Sequence, residues 1–258
     1  MKDIKIIFFD IDGTLIDMKR KCISEKMLET LNRLKENGIL ICIATGRTPV
    51  SLPRFEGVEF DAFLTFNGSY CFNREQDIFS NPIPAADVQM ILKNAAAINR
   101  PVSVATKTRL SANGKDADLV QYYAFAKLLV EVTEDFEEVV QEEIYQIMLG
   151  CTKEEYPALM KDVHQAKITA WWERAVDVIP ASSGKGAGIA KILEYYHLDP
   201  SQAMAFGDGN NDIEMLQAVG TGVAMENASQ QLKAVADDFC GHVAEDGIYH
   251  YCLKHGLI

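Results

Sequence analysis

Two pairs of carboxylates stand out by residue type and spacing. Asp10 and Asp12 are separated by one residue, and Asp208 and Asp212 close the run Gly207-Asp208-Gly209-Asn210-Asn211-Asp212. Carboxylates this close together are unfavourable unless a cation, a proton or hydrogen bonds offset their repulsion. An oxygen-rich donor set suits magnesium, which takes carboxylates, water and substrate phosphate, far better than it suits zinc. Thr45 with the backbone of Gly46, and Lys185 at a helix start, add hydrogen-bond donors and positive charge for a phosphoryl group. With those parts, a carboxylate at Asp10 can attack phosphorus and form an aspartyl-phosphate. Asp12 can protonate the leaving alcohol and then deprotonate water, while the cation and Lys185 offset charge in the transition state.

The elements that must position these residues are legible as apolar runs. Residues 4–9, 39–44 and 203–206 are apolar apart from Lys5 and show no polar alternation, the pattern of strands buried on both faces of a parallel sheet. Each run ends where chemistry is expected, at Asp10, at Thr45-Gly46 and at Gly207-Asp208, because open parallel sheets bind ligands outside the carboxyl ends of their strands. Between the first two runs, Ser24 as N-cap, Met27, Leu28, Leu31 and Leu34 at helical spacing and Gly38 as terminator predict a helix. Residues 60–66, broken at Asp61, predict a third strand ending at Asn67-Gly68. After Lys185, the spacing of Ile189, Ile192, Leu193 and Tyr196 predicts a helix, and further helices are expected over 213–219 and 231–236 around a strand at 222–225. The closing segment from Phe239 reads as one more short strand and helix. The expected fold is α/β, a Rossmann-like doubly wound parallel sheet core.

From about residue 82 to 180 the pattern changes, with prolines at both boundaries. Helices are expected over 85–99, 119–129 and 154–163, and strands over 102–105, 144–149 and 176–179. This divides the chain into a core of 1–81 and 181–258 and an inserted α/β domain of 82–180. The glutamate-rich run 131–143 reads as a solvated face. Trp171-Trp172 and Tyr122-Tyr123 read as packing residues, with one ring of each pair available to a substrate pocket, and Arg109 in the polar stretch 106–115 is a further candidate contact.

Composition narrows the function. A chain of 258 residues, 48% hydrophobic and 24% charged, has material for a substantial core. A formal net charge of −12 disfavours nucleic acid and anionic membrane partners, so any phosphate site must be local. The first apolar run is broken by Asp10 far short of membrane-spanning length and no leader cleavage site is seen, so a cytoplasmic protein is expected. Six cysteines lack a Cys-x-x-Cys pair, which points to neither zinc nor redox chemistry, and Cys42 reads as a buried free thiol. EF-hand loops starting at Asp10 or Asp208 fail at their glycine and glutamate positions. A dinucleotide fingerprint fails because Asp212 stands where its third glycine belongs.

Taken in order, Asp10-Ile11-Asp12-Gly13-Thr14, Thr45-Gly46-Arg47, Lys185 and Gly207 to Asp212 resemble the four motifs of the haloacid dehalogenase superfamily. The insert, Asn67-Gly68 and Asp246-Gly247 resemble its Cof-type branch, which carries a cap of the C2B kind. The resemblance implies that the α/β domain of 82–180 is a cap that sets substrate specificity over a catalytic core. The resemblance implies Asp10 as nucleophile and metal ligand, Asp12 as general acid/base whose backbone carbonyl also meets the metal, and Asp208 as a direct ligand of magnesium. Asp212 matches the last acidic position, bound to the ion either directly or through water. Thr45, Gly46 and Lys185 would hold the phosphoryl group with help from Asn211. The implied activity is that of a phosphoric monoester hydrolase acting on a small phosphorylated metabolite, a sugar phosphate foremost. A phosphomutase, which returns the phosphoryl group to another hydroxyl, and a non-catalytic phospho-ligand sensor are the alternatives.

Overall fold

The computed structural model describes residues 3–126 and 128–258. In chain order it contains β1 (Ile6–Phe9), α1 (Glu25–Glu36), β2 (Leu40–Ala44), β3 (Ala62–Thr65), β4 (Tyr70–Phe72) and β5 (Asp77–Ser80). Then come α2 (Ala85–Ala97), β6 (Val102–Ala105), β7 (Leu110–Ala112), α3 (Ala117–Phe125), α4 (Phe136–Val139), β8 (Gln146–Gly150), α5 (Tyr156–Leu159), β9 (Ala166–Trp172) and β10 (Ala175–Pro180). The chain finishes with α6 (Lys185–Tyr196), β11 (Ala203–Gly207), α7 (Ile213–Gln217), β12 (Thr221–Ala224), α8 (Gln230–Lys233), β13 (Asp238–Phe239) and α9 (Gly247–Lys254). Two compact units result. One takes the chain up to Gly46, Pro53–Ser80 and Gly184–Ile258, and the other takes Arg47–Leu52 and Asn81–Ser183.

The first unit is built on one sheet in the order β13-β12-β11-β1-β2-β3-β4-β5. Its first six strands run parallel, as the unbroken apolar runs predict, and β4 and β5 add an antiparallel edge. Every residue of β1 is buried, so the strand has no solvated face to tolerate a polar side chain. From β1 the chain winds out through β2 and β3, and later returns to lay β11 on the other side of β1. The strand order therefore switches between β1 and β11, which pair in register from Ile6 with Ala203 to Phe9 with Phe206. Of the predicted helices, α1 begins as read: the Ser24 hydroxyl accepts the Met27 N–H at 3.0 Å, and Gly38 follows the helix with φ +76°.

The second unit has a five-stranded antiparallel sheet in the order β7-β6-β8-β10-β9. One face is apolar: Val102, Val104, Ile147, Leu149, Val176 and Val178 pack with Val88, Ile91 and Ala95 of α2 and with Phe136 and Val139 of α4. The helix expected over 154–163 is the single turn α5, because Asn94 donates to the Leu159 and Lys161 carbonyls at 2.9 and 2.7 Å and so takes up acceptors a longer helix would use. The helix expected over 119–129 ends at Phe125, with Lys127 outside the described residues. The run 131–143 exposes its glutamates together with Val132 and Gln141, while Phe136, Val139 and Val140 enter the core. Arg109 is held by that run, 2.6 Å from Asp135 and 2.8 Å from Glu142, which gives it a structural partner on each side. Trp172 packs edge-on against Phe125, and the Trp171 side chain lies outside the described residues.

The other face of this sheet is polar. Tyr123 of α3 shares a 2.5 Å hydrogen bond with Ser103, and Tyr122 donates to Asp177 at 2.5 Å. Asp177 is 4% exposed, and burial pushes its carboxyl up to about 6 against the pull of the Tyr122 and Gln146 hydrogen bonds. A carboxyl raised in the folded state adds stability that is complete below its unfolded value near 4 and is lost as pH rises through about 6. Asp177→Asn keeps the acceptor for Tyr122 and, with the Gln146 amide turned over, offers an N–H to Gln146 Oε1, a buried atom without a hydrogen-bond partner among the described residues. Urea titrations should find the variant about 2 kcal/mol more stable than the parent at pH 8, with the difference vanishing near pH 4.

Candidate active site

The site forms where β1, β2, β11 and β12 end side by side. After Phe9 the backbone continues the sheet for one more bond, from Asp10 N–H to the Phe206 carbonyl at 3.1 Å, which aligns Asp10 with the end of β11. The chain then folds over Ile11, whose carbonyl accepts from Leu15 and Ile16. Gly13 sits at φ +91°, and a Cβ there would fall 2.1 Å from Asp208 Oδ2. Glycine is therefore needed both for the backbone and for the close approach of the two acidic loops. Thr14 closes the same contact by donating to Asp208 Oδ1 at 3.2 Å.

Lys185 lies at the centre. It opens α6, its side chain is fully buried, and its Nζ donates to Asp10 Oδ1 at 2.7 Å and to Asp212 Oδ1 at 2.5 Å. The other oxygen of Asp212 accepts the N–H groups of Asp208 and Gly209 at 3.0 and 2.9 Å, which holds the loop after β11 in a tight turn. Both oxygens of Asp212 are thus engaged by protein donors. Oxygens of Asp10, Asp208 and Asp212 all come within 4.8 Å of one another. Asp12 contributes its carboxyl two residues further along the loop and is half-buried.

This grouping carries surplus negative charge. Burial holds the Asp10 carboxyl well above its usual range; the attraction of Lys185 opposes this, while repulsion from Asp212, Asp208 and Asp12 adds to it. Asp208 is pushed up to about 7 by burial, then by Asp212, against the Thr14 hydrogen bond. Burial alone would lower the Lys185 ammonium, but its two carboxylate partners together raise it. Three carboxyl groups sharing one lysine are the environment in which a hard divalent cation is favoured, and the all-oxygen donor set fits magnesium.

The second polar cluster borders this one. Thr45 is buried at the end of β2, and its carbonyl accepts the Asn67 N–H at 3.1 Å. Asn67 adopts φ +51°, and its amide lies so close to Gly46 that a Cβ there would meet Asn67 Oδ1 at 2.9 Å. Asn211, exposed on the loop after β11, donates to Asn67 Oδ1 at 3.3 Å. The structure therefore brings Asp10, Lys185, Asp208 and Asp212 into one group and links Gly46 and Asn211 through Asn67. One residue at this edge escaped sequence reading. Asn227, in the loop after β12, donates to the Gly13 carbonyl at 2.8 Å and to Asp208 Oδ2 at 3.4 Å. The available signal was its place just beyond an apolar strand that ends beside β11.

The chain matches the haloacid dehalogenase-like hydrolase family over residues 7–252. It is 35% identical to YkrA of Bacillus subtilis strain 168 over 99% of both chains. It is 28% identical to the 5-amino-6-(5-phospho-D-ribitylamino)uracil phosphatase YitU of the same strain, over 97% of each. Among solved structures it resembles the subclass IIB sugar phosphatase BT4131 with a TM-score of 0.86 and 30% identity, over 98% of this chain and all of that one. The chain belongs to the haloacid dehalogenase-like hydrolases, in their Cof-type branch.

Proposed function

We propose that the protein is a magnesium-dependent phosphatase that hydrolyses a small phosphorylated metabolite, with sugar phosphates as the first substrate class to examine. The observation that carries this reading is the fully buried Lys185 bridging Asp10 and Asp212 beside a three-carboxylate group at the switch point of the sheet. The sugar phosphatase BT4131 and the ribitylamino-uracil phosphatase YitU support the substrate class.

In this reading Asp10 attacks phosphorus. A bond forms between its carboxylate oxygen and phosphorus as the ester P–O bond breaks, and Asp12 gives its proton to the departing alkoxide. In the second step Asp12 takes a proton from water, the water oxygen bonds to phosphorus, and the Asp10–phosphorus link breaks to release inorganic phosphate. Lys185 offsets phosphoryl charge, and Thr45, Gly46 and Asn211 bind the phosphoryl oxygens. Magnesium, held by Asp10, the Asp12 carbonyl and Asp208, would stabilise charge on the transferring group. Asp212, with both oxygens engaged by Lys185 and the backbone, would meet the ion through water. We assign the choice of leaving group to the inserted α/β unit.

The test is phosphate release from a panel of sugar phosphates, a phosphorylated polyol and an aryl phosphate. Release that needs magnesium and stops with chelator is the expected result. No release from any ester, or release indifferent to chelator, would overturn the reading.

A further inference from the structure

We propose that Asn227 is a positioning residue that clamps the loop after the nucleophile onto Asp208 and thereby sets the affinity of the site for magnesium. The proposal rests on the metal-dependent phosphatase reading above and assigns a role to a residue outside the four motifs.

Asn227 reaches three elements at once. Its Nδ2 donates to the Gly13 carbonyl at 2.8 Å and to Asp208 Oδ2 at 3.4 Å, and its Oδ1 accepts the Val243 N–H at 3.2 Å. These partners fix the orientation of the amide, because an N–H group demands an acceptor on one side and a carbonyl and a carboxylate demand a donor on the other. No other side chain of this length provides both. An aspartate would keep the acceptor for Val243 but turn an oxygen toward the Gly13 carbonyl and the Asp208 carboxylate.

The position matters because Gly13 and Asp208 touch. Space for a Cβ at Gly13 is taken by the Asp208 carboxylate, so a small movement of either loop moves the other. Asp208 Oδ1 is steadied by Thr14, from the nucleophile's own loop, and Oδ2 by Asn227, from the neighbouring strand end. With both partners in place the carboxylate has little freedom to rotate, and the carbonyl chain that includes Asp12 and Gly13 is pinned to the same amide. Groups that orient metal-binding carboxylates from behind typically alter metal affinity by about 10- to 100-fold when removed. Val243 belongs to a single 3-10 turn, Val243–Glu245, that leads into α9, so the same amide also ties the C-terminal segment to the site.

The experiment compares the full-length parent with Asn227→Ala and Asn227→Asp by two readouts: the rise in Tm on adding magnesium, and the magnesium concentration for half-maximal phosphate release. The aspartate variant separates the two roles of the residue, since it preserves the tie to Val243 and replaces the donor facing Gly13 and Asp208 with a carboxylate oxygen. Both variants should need about tenfold more magnesium or higher, with a matching loss of magnesium-induced stabilisation, while Asn227→Asp stays folded by circular dichroism without metal. Magnesium responses of Asn227→Asp equal to the parent's would overturn the clamp and leave only a structural tie to the C-terminal turn. Absence of any magnesium response in the parent itself would instead overturn the phosphatase reading.

Discussion

Asp10→Asn should abolish turnover while leaving the fold intact. In the proposed mechanism Asp10 is the nucleophile, for which no neighbour can substitute, since an amide oxygen cannot form a stable link to phosphorus. Losing it should lower phosphate release by at least about a thousandfold, of the order seen when other nucleophilic machinery is dismantled. Stability should move the other way. The Asp10 carboxyl is held above its ordinary range by burial and by three acidic neighbours, so its ionised form is unfavourable in the metal-free protein despite Lys185. An amide at this position still offers an oxygen to Lys185 Nζ and removes one negative charge from the group. Thermal denaturation in chelator at pH 8 should therefore give a Tm no lower than the parent's, and added magnesium should raise the Tm less than it does in the parent. Turnover retained by the variant would exclude an aspartyl-phosphate on Asp10; a collapse of stability would mean that the lysine depends on this carboxylate for its burial.

Much of this arrangement is legible in the sequence because strong local signals and function coincide here. Runs such as Ile6 to Phe9 have no polar residue to place at a surface, so they are strands in a covered sheet, and their ends mark the edge at which ligands bind. The grouping of Asp10, Lys185 and Asp208 follows from that topology. What the sequence conceals depends on contacts between distant residues. The short edge strand β5 is half-exposed with no alternation, and the truncation of α5 depends on Asn94, far away in the chain. Asn227 sits in Met225-Glu226-Asn227-Ala228, where an asparagine after a strand reads as an ordinary turn residue. Its meaning appears only when Gly13 and Asp208 are seen on one amide. Arg109 shows the opposite limit: a basic residue in a polar stretch invites a functional reading, and only the structure reveals that Asp135 and Glu142 are its ion-pair partners.

Lys185→Met should be the most destabilising single change at this edge. The parent places one ammonium between two buried carboxylates at 2.7 and 2.5 Å, and the lysine side chain has no contact with solvent. Its raised value means that the stability it adds is complete below about 10.5 and is lost only as pH rises beyond that, so the parent keeps it throughout the neutral range. A methionine fills similar volume but leaves Asp10 and Asp212 buried without their cation, which costs about 3–5 kcal/mol when one partner of a buried pair is removed. The loss should be largest near pH 8 and should shrink as pH falls, because carboxyls already held above their normal range take up protons and relieve the repulsion. Magnesium should restore part of the lost stability by supplying positive charge to the same carboxylates, although phosphate release should remain at least about a hundredfold below the parent for want of the buried donor. Lys185→Arg should not rescue either property, since a planar guanidinium is larger than the space left by a fully buried ammonium. Urea titrations of the methionine variant at pH 5 and pH 8, each with chelator and with magnesium, check the sign of both dependences. Equal stability of variant and parent at pH 8 in chelator would show that the two carboxylates do not depend on Lys185 for their charge balance.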